Sequence, residues 1–360
     1  MDTVKNGMVS RERIEYFDYL RVFAALAVII LHVATAHIRD TAITGSAWIV
    51  MNLYNSLVRW GVPVFVMISG ALFLSRELSM KKVFTKNIAR LAVAYVVWSA
   101  FYAVVIPLGK HLLTPDYEIS VGSILKNVIT GADHMWFIPM LIGLYLCLPI
   151  FCQIVLSEKA TKYFLILAFV FAFLIPQIVN LSVDFTSGPI AEGAEALNTL
   201  VSKMKLQMVT GYSGYFIAGY VLSRKELNRK LRRWIYAIGI VGFVLTAGLS
   251  LLASLKAGTF VDHYYGNFNC GVVLEAVAVF TWCKYNLSGS PRWVLRFSKD
   301  SFGIYLVHVF ALELILTVGL DTLSFSPIIS IPVISLIVAL VSWGISYLLH
   351  KIPVLNRWIV

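Results

Sequence analysis

The chain has 360 residues, of which 59% are hydrophobic and only 14% charged, and its mean hydropathy is +0.80. A water-soluble domain carries about 25% charged residues, so this chain lacks the polar surface to coat itself in water, and a soluble globular fold is excluded. The formal net charge of +11 then raises the question of whether the cations are spread over a face or segregated by membrane side.

Crossing ~30 Å of hydrocarbon takes about 20 apolar residues. Runs of that kind fall near 17–37, 48–74, 88–107, 135–156, 162–180, 207–223, 234–254, 270–284, 300–320 and 327–349. The second is overlong and is predicted to break or kink at Gly61 and Pro63. The eighth is short. The predicted fold is an all-α polytopic membrane protein with about ten transmembrane helices. Its organisation is a segment 1–16, a single membrane domain 17–350 and a tail 351–360.

Charge placement tests this map independently. With the N-terminus inside, 23 of the 30 Lys and Arg fall in inner segments, including Lys81, Lys82, Lys86 and Arg90 ahead of the third run. Only Arg39, Lys110, Lys126, Lys203, Lys205 and Lys256 fall in outer segments, and Arg59 lies within the second run. Such alternation is a positive-inside pattern, which puts both termini in the cytoplasm. The net charge is then a leaflet signature, and no nucleic-acid partner is called for. Lys5, Arg11 and Arg13 precede a first run with no small-residue cleavage site after it, so that run is expected to be a retained anchor. Cys147, Cys152, Cys270 and Cys283 show no CxxC spacing, so neither a disulfide framework nor a metal site is expected.

Polar groups inside the runs carry the functional signal. Arg21 and His32 stand eleven residues apart on the first run, three helical turns and ~16 Å along one face. Ionisable side chains at membrane depth usually face a cavity or a partner, and they are functional candidates by default. Asp18 is spaced to pair with Arg21. The ninth run has a stripe of Ser301, Tyr305 and His308. Glu275 and Glu313 are further acids within the membrane, each suited to be a base, a counter-ion or a relay group. Ser69, Gly70 and Ala71 allow close helix approach. His134 and Trp136 fall at the outer interface, where Trp is ordinarily an anchor. Lys82, Lys86 and Arg90 suit either anionic lipid or the phosphates of a cytosolic nucleotide-bearing donor. Asn52, Tyr54, Asn55, Tyr264, Tyr265, Asn267 and Asn269 lie near the outer face, as a sugar-binding surface or as ordinary interface residues.

Five of these pieces occur in a fixed order: Asp18-Tyr-Leu-Arg21 with His32 beyond it; Pro63-Val-Phe-Val-Met-Ile-Ser69-Gly70; the basic entry to the third run; His134-Met-Trp136-Phe; and Ser301-Phe-Gly303-Ile-Tyr305-Leu-Val-His308. Together they resemble the acyltransferase-3 family of membrane O-acyltransferases, in its short standalone form. The resemblance implies an O-acetyltransferase that takes an acyl group from cytosolic acetyl-CoA and gives it to a glycan or lipid-linked sugar. By matching position His32 is the catalytic histidine and Arg21 its motif partner. Lys86 and Arg90 fall where many members carry Arg-x-x-Arg, although here the spacing is Lys-x-x-x-Arg. The candidate catalytic residues are thus His32, Arg21, Asp18, Tyr305, His308 and Glu275. The candidate donor-binding residues are Lys82, Lys86, Arg90, Ser69, Trp136 and His134. The expected setting is a bacterial inner membrane, with a homo-oligomer left open. A transporter or flippase, or a structural partner of a polysaccharide assembly system, are the alternatives from other classes.

Overall fold

The computed structural model describes residues 13–77, 79–113 and 118–360. Lys5 and Arg11 lie outside the described residues. Helices α1 (Tyr16–Thr35), α2 (Ser46–Leu57), α3 (Gly61–Leu74) and α4 (Ala89–Leu113) come first. They are followed by α5 (Val121–Thr130), α6 (Phe137–Leu146), α7 (Leu148–Val155), α8 (Glu158–Ala168), α9 (Ile175–Phe185), α10 (Pro189–Lys203) and α11 (Ser213–Arg224). Then come α12 (Arg229–Ala257), α13 (Cys270–Asn286), α14 (Arg292–Thr317), α15 (Pro327–His350) and α16 (Pro353–Trp358). There is no strand among the described residues, and nine helical stretches are long and apolar enough to cross a membrane. The protein is an all-α polytopic membrane protein.

The sixth expected span differs from its expectation. In 207–223 the only long helix is α11, whose 12 residues reach ~18 Å, short of the ~30 Å hydrocarbon core. A separate turn, Gln207–Thr210, precedes it. Irregular backbone at membrane depth is tolerated where protein covers it. Here Tyr215, Phe216 and Ile217 are fully buried.

The predicted break in the second run is present between Leu57 and Gly61. Pro63 sits in the first turn of α3, where a missing N–H costs nothing, so the proline starts the new helix rather than bending an old one. The indole N–H of Trp60 donates to the Leu57 carbonyl at 2.7 Å and satisfies an acceptor the break releases.

Helix α1 is at the centre. It packs against α2, α3, α13, α14 and α15, whereas α4, α8 and α12 present most of their length outward. Ala24 and Ala27 on α1 let Gly61 approach closely: a Cβ on Gly61 would stand 3.0 Å from the Ala27 methyl. A tighter approach joins α3 to α11. A Cβ on Gly70 would lie 1.8 Å from the Phe216 carbonyl oxygen, and one on Gly219 would lie 2.0 Å from that of Met67.

Loop contacts join segments that the charge map expects to lie on the same side of the membrane. On the inner side, Tyr19 donates to the Gly289 carbonyl, and Lys284 pairs with Glu226. The outer side holds Arg39 with Asp262 and His263 with Asp184. The two longer outer segments each hold a helix, α5 and α10, folded back on α4 and α9.

Gly70→Ala should lower the thermal midpoint of the detergent-solubilised protein by several degrees, an overpacking cost of about 1–3 kcal/mol, because backbone must move to admit the methyl. Gly143→Ala, where a Cβ meets nothing within 4 Å, should leave the midpoint unchanged.

Candidate active site

At the inner end of α1, Asp18 is 1% exposed and gathers three partners. Arg13 grips both its oxygens, with Nε at 2.7 Å and a terminal nitrogen at 2.9 Å. The Ser298 hydroxyl donates to Oδ1 at 2.7 Å. Arg21 reaches the same oxygen at 3.4 Å. The hydrogen bonds from Arg13 to Asp18 raise the Arg13 pKa and hold that guanidinium charged. The expected Asp18–Arg21 pair therefore exists, but as the weaker arm of a network whose tight contact is with Arg13. Since Arg13 occupies the carboxylate, Arg21 keeps donors free to face a cavity of about 230 Å³. Ser69, Phe65, Phe137, Ser301 and Tyr305 line that cavity with it.

Tyr305 closes the far end. Its hydroxyl donates to the His134 carbonyl at 2.7 Å, joining α14 to the turn before α6. One helical turn further, His308 Nδ1 lies 2.6 Å from the Tyr305 carbonyl oxygen. A carbonyl only accepts, so Nδ1 carries the proton and donates, which leaves Nε2 of a neutral ring with its lone pair. That Nε2 is buried without a hydrogen-bond partner, as is Nε2 of His134.

The three imidazoles converge. The ring of His32 lies 5.0 Å from that of His308, and His308 lies 5.3 Å from His134. Tyr102 of α4 stands against His134 with ring centroids 4.9 Å apart. Its hydroxyl donates to the Leu306 carbonyl at 2.7 Å and accepts from the Phe310 amide at 3.2 Å. Tyr102 thereby fixes the backbone on either side of His308. Two cavities open from this cluster toward the outer ends of the helices, one of about 520 Å³ and one of about 400 Å³. His32 and Thr35 line both.

Several candidates fall elsewhere. His134 belongs to the histidine cluster rather than to a donor-binding entrance. Trp136 packs at a tilt against Tyr212, with centroids 5.5 Å apart, away from that cluster. Glu275 on α13 is buried and accepts from Thr246 at 3.3 Å. It faces a separate cavity with Trp60 and Trp282, so it does not share a site with His32. Lys82 and Lys86 are exposed at the mouth of α4. Arg90 is engaged by the chain itself, donating to the Val360 carbonyl and standing over the Phe302 ring at 5.7 Å. Asn52 is a core residue, bonded to the Ala247 carbonyl at 3.0 Å and to the Tyr265 hydroxyl at 2.7 Å, and not part of an open sugar surface. Conversely, Glu313 and Asp133 line the larger outer cavity beside His32. Tyr102 and Asp133 carry no sequence signal for this, since neither spacing nor motif sets them apart.

These features define a multi-pass membrane protein with a polar path through its centre. The family described as "Acyltransferase domain" matches residues 14–347, and the chain belongs to that acyltransferase-3 family. It is an acyltransferase, which decides against the transporter and the structural-partner alternatives. No curated protein and no solved structure gives a match.

Asp18→Ala should remove the acceptor for Arg13, Ser298 and Arg21 together. Thermal unfolding in detergent should show a loss of about 2 kcal/mol, in the range for hydrogen bonds to a charged group. Arg13→Ala should cost less, because its side chain is 45% exposed while Arg21 and Ser298 still hold Asp18.

Proposed function

We propose that this acyltransferase moves an acetyl group from cytosolic acetyl-CoA to a hydroxyl of a glycan or lipid-linked sugar at the outer face of a bacterial inner membrane, with His32 as the base. The observation that carries this reading is the position of the histidine cluster, with an Arg21-lined cavity on its inner side and two cavities on its outer side. A donor entering from the cytosol and an acceptor entering from outside would meet there.

The chemistry follows from the groups present. The sugar hydroxyl oxygen forms a bond to the thioester carbonyl carbon while an imidazole nitrogen of His32 takes the hydroxyl proton. The C–S bond then breaks, and the imidazolium returns that proton to the departing thiolate, so the histidine ends as it began. A neutral imidazole near pH 7 is suited to both halves of this cycle. No ring nitrogen of His32 is bonded to another described residue, so both stay available to substrate. His308, with its proton committed to the Tyr305 carbonyl, presents an acceptor toward the same space and can orient His32.

On the inner side, Arg21 is placed to hold an anionic or carbonyl group of the donor. The ~16 Å between Arg21 and His32 is of the length that a pantetheine arm spans. Phe65, Phe137 and Phe302 would offer that arm an apolar wall, and Ser69 and Ser301 would offer it hydrogen bonds. The exposed Lys82 and Lys86 would add positive charge at the entrance for the nucleotide phosphates. Arg90 is a weaker candidate for that role, because its guanidinium already serves the Val360 carbonyl.

His32→Ala should reduce label transfer from radiolabelled acetyl-CoA to cell-surface glycan by at least about 100-fold, the usual worth of a positioned base, while gel filtration in detergent stays unchanged. Transfer within a factor of two of wild type would overturn the assignment of His32.

A further inference from the structure

The two outer cavities beside His32 differ in charge. The larger is lined by Asp133 and Glu313 against a single cation, Lys110. The smaller holds Arg39 and Arg59 against a single acid, Asp262. Arg39 and Asp262 neutralise each other at 2.6 Å on the exposed rim, so Arg59 is the uncompensated charge of that cavity. None of the ion pairs among the described residues includes Arg59. Asp262 and Glu275 are the acids nearest it, but neither comes within ion-pair distance: Asp262 is paired with Arg39, and Glu275 accepts from Thr246. Its Nε is sealed from solvent and has no hydrogen-bond partner.

Arg59 is held in place. It falls in the break between α2 and α3, and its guanidinium lies over the Tyr265 ring at 4.9 Å. Tyr265 is itself fixed by the bond to buried Asn52 and is stacked on Phe260, with centroids 5.8 Å apart and 25° between planes. A cation at membrane depth with no counter-ion in contact, set above an aromatic floor beside the proposed base, is a costly arrangement that a bound anion would relieve.

We propose that this smaller cavity is the acceptor subsite, and that Arg59 selects a sugar carrying an anionic group, a carboxylate or a phosphate. The proposal rests on His32 being the point of transfer. The Phe260 ring lies under Arg39 and the buried Tyr265 ring under Arg59, so the rings hold the two cations in place, and Arg59 offers the planar fork that matches either oxyanion. A neutral sugar would leave that charge unpaired.

The test uses purified full-length protein in detergent, titrated with methyl β-D-glucuronide, α-D-glucose 1-phosphate and the uncharged methyl β-D-glucoside, with binding read from intrinsic fluorescence. Wild type should bind at least one charged probe about 10-fold more tightly than the glucoside, the worth of roughly one charge-assisted hydrogen bond. A response confined to the glucuronide identifies a carboxylate-bearing sugar, and one confined to the 1-phosphate identifies a phosphate-bearing one. The preference should vanish in Arg59→Gln and be partly kept in Arg59→Lys. Asp262→Asn, on the exposed rim, frees Arg39 and should tighten binding of the charged probe several-fold, which keeps a test in hand if Arg59→Gln does not fold. Equal binding of charged and neutral probes, a preference that survives Arg59→Gln, or no change in Asp262→Asn would overturn the proposal. Binding does not require transfer, so the readings fail separately. An inactive His32→Ala with no charge preference removes only the subsite, and an active His32→Ala with the preference intact removes only the base.

Discussion

A helix packed among five others has few charges it can hand to water, and α1 is such a helix. The structure meets that constraint at Asp18, whose carboxylate ties Arg13, Arg21 and Ser298 together where α1 enters the bundle. Ser298 belongs to α14, so the same contact that settles the charge of Arg21 also sets the register of α1 against α14. The two helices meet again at His32 and His308, 14 residues along α1 and 10 residues along α14 from that contact.

The other neighbours of this pair are placed by small residues. Ala24 and Ala27 admit α3 at Gly61, and α3 in turn accepts α11 at Gly70 and Gly219 with backbone nearly touching backbone. In a membrane, where lipid is as apolar as leucine, such close approach replaces the hydrophobic drive that holds soluble helices together. Ser69, beside Gly70, is carried by that packing to the wall of the Arg21 cavity. The Arg21 cavity and the histidine cluster thus share their supports.

Much of this was legible along the chain. The long apolar runs, the break at Gly61–Pro63, and the shared stripe of Arg21 and His32 follow from length, proline chemistry and helical period. These are properties of one segment at a time. What could not be read was which faces meet. His134 looked like an interface residue because its own segment starts at the outer boundary, yet a turn carries it under Tyr305. Glu275 looked catalytic because it is a buried acid, but α13 turns it toward Thr246 and a different cavity. Arg90 has the charge for a donor site and spends it on a carbonyl 270 residues away. The short α11 was read as a full span because hydropathy counts apolar residues and does not register the interruption at Gly211 and Tyr212.

The Tyr305–His134 bond has one more consequence. It stands between a cavity approached from one membrane face and cavities approached from the other. A protein with a polar route through its middle risks short-circuiting the ion gradient of the membrane that holds it. A tyrosine ring locked across the route by a hydrogen bond to backbone is a plug, and bulky donor and acceptor molecules arriving from opposite sides would add to the seal. On the proposed reading, such an architecture would let a covalent bond be exchanged between two compartments while protons and salt stay where they are.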